Sequence, residues 1–299
     1  MQSLVRAQWP LEAQPGVVEN VVGWFKAFVG AAFLGLSLIF INGLQMLSLV
    51  LLPFSRKAFR QINRFFAHHW WGWCVIGTEK FFGVKPIITG DTLPDNENAI
   101  VFANHQQMAD ILVLMMIIYR KRRLGDLKWF VKDPIKYIPG VGWGMQFLDC
   151  LFVKRDWMAD RAKIEATFHK FKSQNIPLWL VTFVEGTRIT DKKLSLAQLH
   201  AAEKGLPVPK YTLVPRTRGF SAAVEGLEGH VDAVYDVTIG YVGGIPKLSQ
   251  VFRGLVKSVR LDVRRFPISE LPQSAEGRAE WLRGRFERKD ALLGEWFSK

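Results

Sequence analysis

Residues 99–120 read AIVFANHQQMADILVLMMIIYR. Ala99–Ala103 is a short apolar run of the length and composition of a strand buried on both faces, and Asp110–Arg120 is apolar all round for three turns, as an enclosed helix is. The polar stretch between them is a loop. A buried strand passing through a short loop into a buried helix is the unit from which α/β sheets are built. The same form recurs on either side. Strands are expected over Leu148–Lys154, Leu178–Phe183, Tyr211–Pro215 and Ala233–Ile239, and Val259–Arg265 alternates Val, Leu and Val with Arg, Asp and Arg, which predicts one wet face. Helices are expected over Ala159–Lys172, with Ile164, Phe168 and Phe171 on one face, and over Lys192–Lys204, stopped by Gly205 and Pro207. The amphipathic stretch Ala275–Phe297 is the last of them. An α/β domain therefore begins at Lys85, with Pro86 and the polar turn at 91–98 marking its entry.

The chain before it is different. From Ala27 to Leu52 no residue is charged, and 26 residues of helix measure about 39 Å against a hydrocarbon core of about 30 Å. This predicts a membrane span; a buried core helix or a signal peptide would be shorter. Lys26 precedes the run and Arg56, Lys57, Arg60 and Arg64 follow it, so the positive-inside tendency puts what comes after on the cytoplasmic side. Residues 65–84 hold three Trp, four Phe and two His around a single Glu-Lys pair, which fits a segment at the headgroup boundary, with an aromatic-rich core helix as the alternative. The expected division is a membrane-anchoring segment over 1–84 and a catalytic domain over 85–299.

Composition narrows the functions. In 299 residues, 40 Lys and Arg face 27 Asp and Glu, a net charge of +13, and 49% of the chain is hydrophobic, which excludes a disordered protein. Two cysteines, Cys74 and Cys150, make no disulfide framework. The positive charge fits nucleic acid, an anionic bilayer or a phosphorylated substrate. No nucleic-acid module is recognisable, and the aromatics gather near the apolar run instead of interleaving with a basic stripe.

Four motifs carry candidate chemistry. His105 lies in the loop after the first strand, five residues before Asp110. On one continuous helix the two would point about 140° apart, but with His105 in the loop the carboxylate reaches back to an imidazole nitrogen. An Asp on Nδ1 fixes the tautomer and stabilises the imidazolium formed when Nε2 removes a proton, which describes a base that activates a hydroxyl. The spacing alone equally fits a loop histidine with Asp110 as a helix cap. No further His, Cys or carboxylate follows at ligand spacing, so no metal site is expected. Phe183-Val184-Glu185-Gly186-Thr187-Arg188 ends the third expected strand: Gly186 permits close approach, Thr187 offers a hydroxyl, Arg188 a fork for phosphate, and Glu185 an acceptor for a polyol. Lys154 and Arg155 end the second, while Leu213–Phe220 brings two arginines in a turn marked by Pro and Gly. The basic run Arg120–Arg123 is read as a solvated face.

Base, cations and Glu-Gly-Thr-Arg in that order, each at a strand exit, resemble the glycerolipid acyltransferases, in particular the 1-acyl-sn-glycerol-3-phosphate acyltransferase family. The likeness rests on NHQQMAD, FVEGTR, LVPRTRGF with VDAVYDVTIGY, and the approach segment KDPIKYIPGVGWGMQFLDCLFVKRDW, and extends over about residues 85–297. It implies a mixed, largely parallel central sheet flanked by helices, with His105 as the base and Asp110 as its orienting partner. It places glycerol and phosphate contacts on Glu185, Gly186, Thr187 and Arg188, with charge added by Arg155 and Lys154, and makes Val214 and Pro215 line the site or an acyl groove. It further implies acyl transfer from a coenzyme A or carrier-protein thioester, as co-substrate and without a cofactor, to the sn-2 hydroxyl of lysophosphatidic acid. The host would be a bacterial inner membrane or the endoplasmic reticulum. Asp149, where the wider family has Gly, and Val184, where it often has Pro, look like the subgroup that includes lysophosphatidate and lysocardiolipin acyltransferases. That leaves another lysophospholipid, such as lysocardiolipin or lysophosphatidylinositol, as an alternative acceptor. Thioester hydrolysis by the same His-Asp pair, and a basic membrane scaffold with inert motifs, are the remaining readings.

Overall fold

The computed structural model describes residues 10–154 and 157–298. The chain opens with helix α1 (Val17–Ser48), long and apolar enough to cross a membrane, and turns back into α2 (Arg56–Ile76), whose start is capped by the Ser55 hydroxyl. Strands β1 (Lys85–Gly90) and β2 (Ala99–Ala103) lead to α3 (Ala109–Arg120), and β3 (Leu127–Lys132) is followed by α4 (Val141–Phe147) and β4 (Leu151–Val153). Then come α5 (Trp157–Ser173), β5 (Trp179–Thr182), α6 (Asp191–Glu203) and α7 (Thr217–Gly226). Strand β6 (Ala233–Tyr241), α8 (Leu248–Phe252), β7 (Ser258–Pro267) and α9 (Ala275–Phe297) complete the order.

Among the described residues the strands form one seven-stranded sheet, β1-β7-β6-β2-β5-β3-β4, in which β6 and β7 run antiparallel and every other adjacent pair is parallel. This is the expected mixed, largely parallel sheet. Strands β2 to β6 all point one way, so their C-terminal ends share one edge. Both faces are covered: Ala99, Val101 and Ala103 of β2 face a core built with α2 and α3, while Ile100 and Phe102 face a core built with α5, α7 and α9. Period-two alternation with both sides buried reads in sequence as a continuous apolar run. Ile164, Phe168 and Phe171 of α5 lie together in the second core, as their helical spacing predicts.

Three expectations change. Tyr211–Pro215 is a loop and not a strand. Its amides are spoken for by side chains: Lys210, Tyr211 and Thr212 donate to the Asp290 carboxylate of α9, and Leu213 to Glu185. Leu148–Lys154 contains a strand of only three residues, because Asp149 adopts φ of +57 and the Cys150 amide closes the end of α4 on the Met145 carbonyl. A left-handed residue explains why glycine suits that position; here the Asp149 carboxylate is held by Lys170 and Arg60. Residues 65–84 are largely the second half of α2, with Ala67, Trp71, Cys74 and Val75 in the core and Phe65, Trp73, Ile76 and Phe81 exposed. The core-helix alternative thus holds for the inner face, while the outer face leaves its aromatics exposed.

Helix α1 packs along the domain. Its positions 23, 27, 30, 34, 37, 41, 45 and 48 recur every three or four residues and turn inward. The contacts run its whole length: Asn20 with Arg253 (2.6 Å), Trp24 under the Arg253 guanidinium (4.7 Å), Gly30 against the Phe82 ring, Ser37 with Trp70 (3.2 Å), and Ser48 with Asn63 (2.8 Å). Any side chain at position 30 would collide with Phe82, so glycine is what lets the helix lie this close. Its outer side carries exposed Val21, Phe25, Phe28, Leu36, Phe40 and Leu47.

Candidate active site

At the shared edge of β2, β5 and β3, a cavity of about 830 Å³ receives the loops that leave those strands. Open α/β sheets bind ligands at this edge. Its lining combines polar and charged residues, among them His105, Thr187, Arg188, Lys193, Arg216 and Arg218, with apolar ones including Trp129, Val131, Ile135, Met145, Ile164 and Phe220.

His105 sits in the loop after β2 with its side chain 12% exposed, and its Nδ1 lies 2.8 Å from Oδ2 of Asp110, which is fully buried. The same oxygen accepts the amides of Gln106 (2.6 Å) and Gln107 (2.8 Å), so the carboxylate, from the first turn of α3, holds the preceding loop and orients the ring at once. The other oxygen accepts the Tyr241 hydroxyl at 2.7 Å. Burial, with Asp110 beside it, pushes that phenol well above its ordinary pKa, so it stays a donor. Gln106, Gln107 and Tyr241 all donate to this carboxylate, so Nδ1 meets it as a donor too, and in the neutral ring that tautomer puts the lone pair on Nε2. The imidazole lies flat on the ring of Phe183, from the end of β5, with centroids 3.9 Å apart. Asn104 anchors the loop by donating to the Ile239 carbonyl and accepting the Ile239 amide of β6.

Glu185 is buried, and neither of its oxygens faces the cavity. One accepts the His105 amide and the other the Leu213 amide at 2.7 Å. Removal from water pushes its carboxyl up to about 8, against the two amides, which favour the charged form. Gly186 takes φ of +71 and its missing side chain leaves room for the Arg216 side chain. Arg188 reaches back to Gln107 Oε1 (3.0 Å), and the Ile189 amide donates to the His105 carbonyl (3.0 Å), so the loops after β2 and β5 are tied together. Lys193 of α6 holds the Thr187 hydroxyl and the Arg188 carbonyl.

Of the residues expected from sequence, His105, Gly186, Thr187 and Arg188 line one cavity, and Asp110 stands directly behind His105. Lys154 is exposed at the end of β4, its amide held by Asp160, and is not among the lining residues. Arg155 lies outside the described residues. Pro215 lines the cavity. Tyr241, Phe183, Lys193 and Lys132 had not been singled out. The two arginines of PRTRG, noted only as part of a turn, prove to be cavity cations at the start of α7.

Residues 85–242 match the family model described as Acyltransferase, and residues 250–299 the one described as Acyltransferase C-terminus. The chain is 34% identical over 282 residues to 1-acyl-sn-glycerol-3-phosphate acyltransferase 3 of Arabidopsis thaliana, covering 91% of this chain and 74% of that one. It is 34% identical over 269 residues to the human 1-acyl-sn-glycerol-3-phosphate acyltransferase gamma, covering 88% and 71%. Among solved structures, the crystal structure of the 1-acyl-sn-glycerophosphate acyltransferase PlsC from Thermotoga maritima shares the fold, with a TM-score of 0.56 and 19% identity over 93% of this chain and 97% of that one.

Proposed function

The chain belongs to the 1-acyl-sn-glycerol-3-phosphate acyltransferase family, and on that premise we propose how its cavity acylates lysophosphatidic acid to phosphatidic acid. The donor is an acyl-coenzyme A thioester. The acceptor phosphate sits among Arg188, Arg216 and Arg218 of the lining, whose guanidinium forks match phosphate oxygens. The acyl chain lies along Trp129, Ile135 and Ile164.

His105 Nε2 takes the proton of the free acceptor hydroxyl as its oxygen attacks the thioester carbonyl. Asp110 stabilises the imidazolium and keeps the ring aligned. The tetrahedral intermediate collapses with cleavage of the carbon–sulfur bond, and the departing sulfur takes the proton back from His105. No side chain forms a covalent intermediate. Glu185 acts at one remove, bracing the His105 loop against the loop at Leu213.

The protein is membrane-associated, and the outward face of α1 supplies the contact. Since α1 is docked from Asn20 to Ser48, its exposed phenylalanines and leucines enter lipid while the domain lies beside the leaflet. Met145 lines the cavity from α4, which packs on α1 at Gly144 and, just before its first residue, at Gly140, so that part of the cavity lies close to α1. Arg56, Lys57 and Arg60 then face an anionic cytoplasmic surface.

The observation that carries this reading is the presence of His105 and Arg188 on one cavity wall system, linked through Gln107 and Ile189. A panel of lysophospholipid acceptors, offered with one acyl-coenzyme A and read by product mass, tests it. Phosphatidic acid as the dominant product supports the assignment; preferential acylation of lysocardiolipin or lysophosphatidylinositol contradicts it.

A further inference from the structure

A second cavity, of about 440 Å³, lies at the N-terminal ends of β3 and β5, the edge of the sheet opposite the catalytic one. Its walls include Lys57, Arg60 and Arg64 of α2 and Lys128 of β3. Two carboxylates reach it, and each is already matched twice. Asp149 pairs with Lys170 (2.5 Å) and Arg60 (3.5 Å), and Asp126 with Arg64 (2.5 Å) and Arg123 (3.0 Å). That leaves two cations over.

Lys57 is exposed, but Lys128 is only 4% exposed, and among the described residues its side chain makes no hydrogen bond or ion pair. Its neighbour Cys150 supplies no counter-charge, because burial pushes that thiol up to about 11. Burial lowers the pKa of the Lys128 ammonium, and Asp149 and Asp126, both already paired elsewhere, only partly oppose this, so a bound anion would offset the remaining desolvation cost.

The position of the cavity identifies the anion. On α2, residues 57, 60, 61 and 64 share a face, while the same helix exposes Phe65 to one side of that face and Phe54 is exposed just before the helix begins. Lysines and arginines flanking lipid-exposed aromatics stand at headgroup depth. We propose that this cavity binds the phosphate of an anionic phospholipid from the surrounding leaflet, with Lys128 as its most deeply buried contact and Lys57 and Arg60 beside it. The site is separate from the acceptor site and rests only on the membrane association of α1 and α2. Its occupation holds α2 at the surface, so anionic lipid strengthens docking without entering the reaction.

Flotation of the full-length protein with vesicles of phosphatidylcholine containing phosphatidylglycerol tests this. Lys128→Gln should weaken vesicle binding about tenfold, the loss of one charge-assisted phosphate contact, while turnover on micellar lysophosphatidate is kept. Lys85→Gln, an exposed lysine outside the cavity, should change binding little. Should Lys128→Gln fold poorly, Lys57→Gln serves as the second variant, and acetylation of Lys128 in the unaltered protein is followed by mass. Vesicles with phosphatidylglycerol should slow that labelling severalfold, pure phosphatidylcholine vesicles should not, and inorganic phosphate should do so weakly. Binding by Lys128→Gln no weaker than by Lys85→Gln, or labelling unaffected by phosphatidylglycerol, overturns the proposal. Equal protection by inorganic phosphate overturns its assignment to lipid.

Discussion

The imidazole of His105 lies on the ring of Phe183 with centroids 3.9 Å apart and planes 15° from parallel. Asp110 fixes the in-plane direction of the imidazole and Phe183 fixes its tilt, so Nε2 has one approach to a hydroxyl. Phe183→Leu keeps the apolar volume and loses the flat support. It should lower kcat about tenfold or more with little change in KM, since misplacing a base costs rate and not affinity. Steady-state kinetics on lysophosphatidate checks this; a pure KM effect would place Phe183 in acceptor binding instead.

Asp110 joins the His105 ring, two loop amides and the Tyr241 hydroxyl. Asp110→Asn puts an amide donor among donors and disturbs the tautomer, and a loss of about 10²-fold or more in kcat is expected. Tyr241→Phe removes one donor and should cost less. If the order were reversed, the carboxylate would not be acting through the histidine.

Arg188 and Arg216 are expected to hold the acceptor phosphate. Arg188→Ala should raise KM for lysophosphatidate about tenfold or more, the scale of a lost charge-assisted bond. The KM for the acyl donor should stay near that of the unaltered enzyme, and a matching rise in both would mean that the cations serve the donor.

Burial raises the Glu185 carboxyl from an ordinary 4.5 to about 8. The folded state therefore holds this proton more tightly than the unfolded chain does. Its contribution to stability is fully present below about 4.5 and is lost as pH rises through about 8. Melting temperatures should fall across that window relative to those of Glu185→Gln, whose neutral carboxamide does not titrate. Parallel curves would show that the two amides keep Glu185 ionised throughout.

Asp290 of α9 accepts the amides of Lys210, Tyr211 and Thr212. Asp290→Ala orphans these donors and should cost about 1–3 kcal/mol, read as a lowered denaturation midpoint.

That clamp shows where sequence reading stops. The run Tyr211–Pro215 has the apolar look of a strand, and nothing nearby in the chain reveals that its amides are bound by a carboxylate almost eighty residues later. Strand β3 was hidden for a related reason: Lys128 and Lys132 interrupt its apolar run, one buried beside a cavity and the other at the strand end. By contrast β2, β5 and β6 are buried on both faces, so burial alone writes them into the sequence. His105 and Asp110 were legible because one short loop sets their relation. Tyr241 and Lys193 were not, because they arrive from β6 and α6. Glu185 was read as a polyol contact, but its strand exit turns the carboxylate inward to amides of two loops.

The central claim is that His105 is the base of the acyl transfer. Turnover of lysophosphatidic acid by purified His105→Ala, beside the unaltered enzyme and with equal binding of both substrates confirmed, tests it most directly. A fall of about 10²–10⁴-fold is expected for a lost general base. Near-full production of phosphatidic acid by that variant would contradict the account.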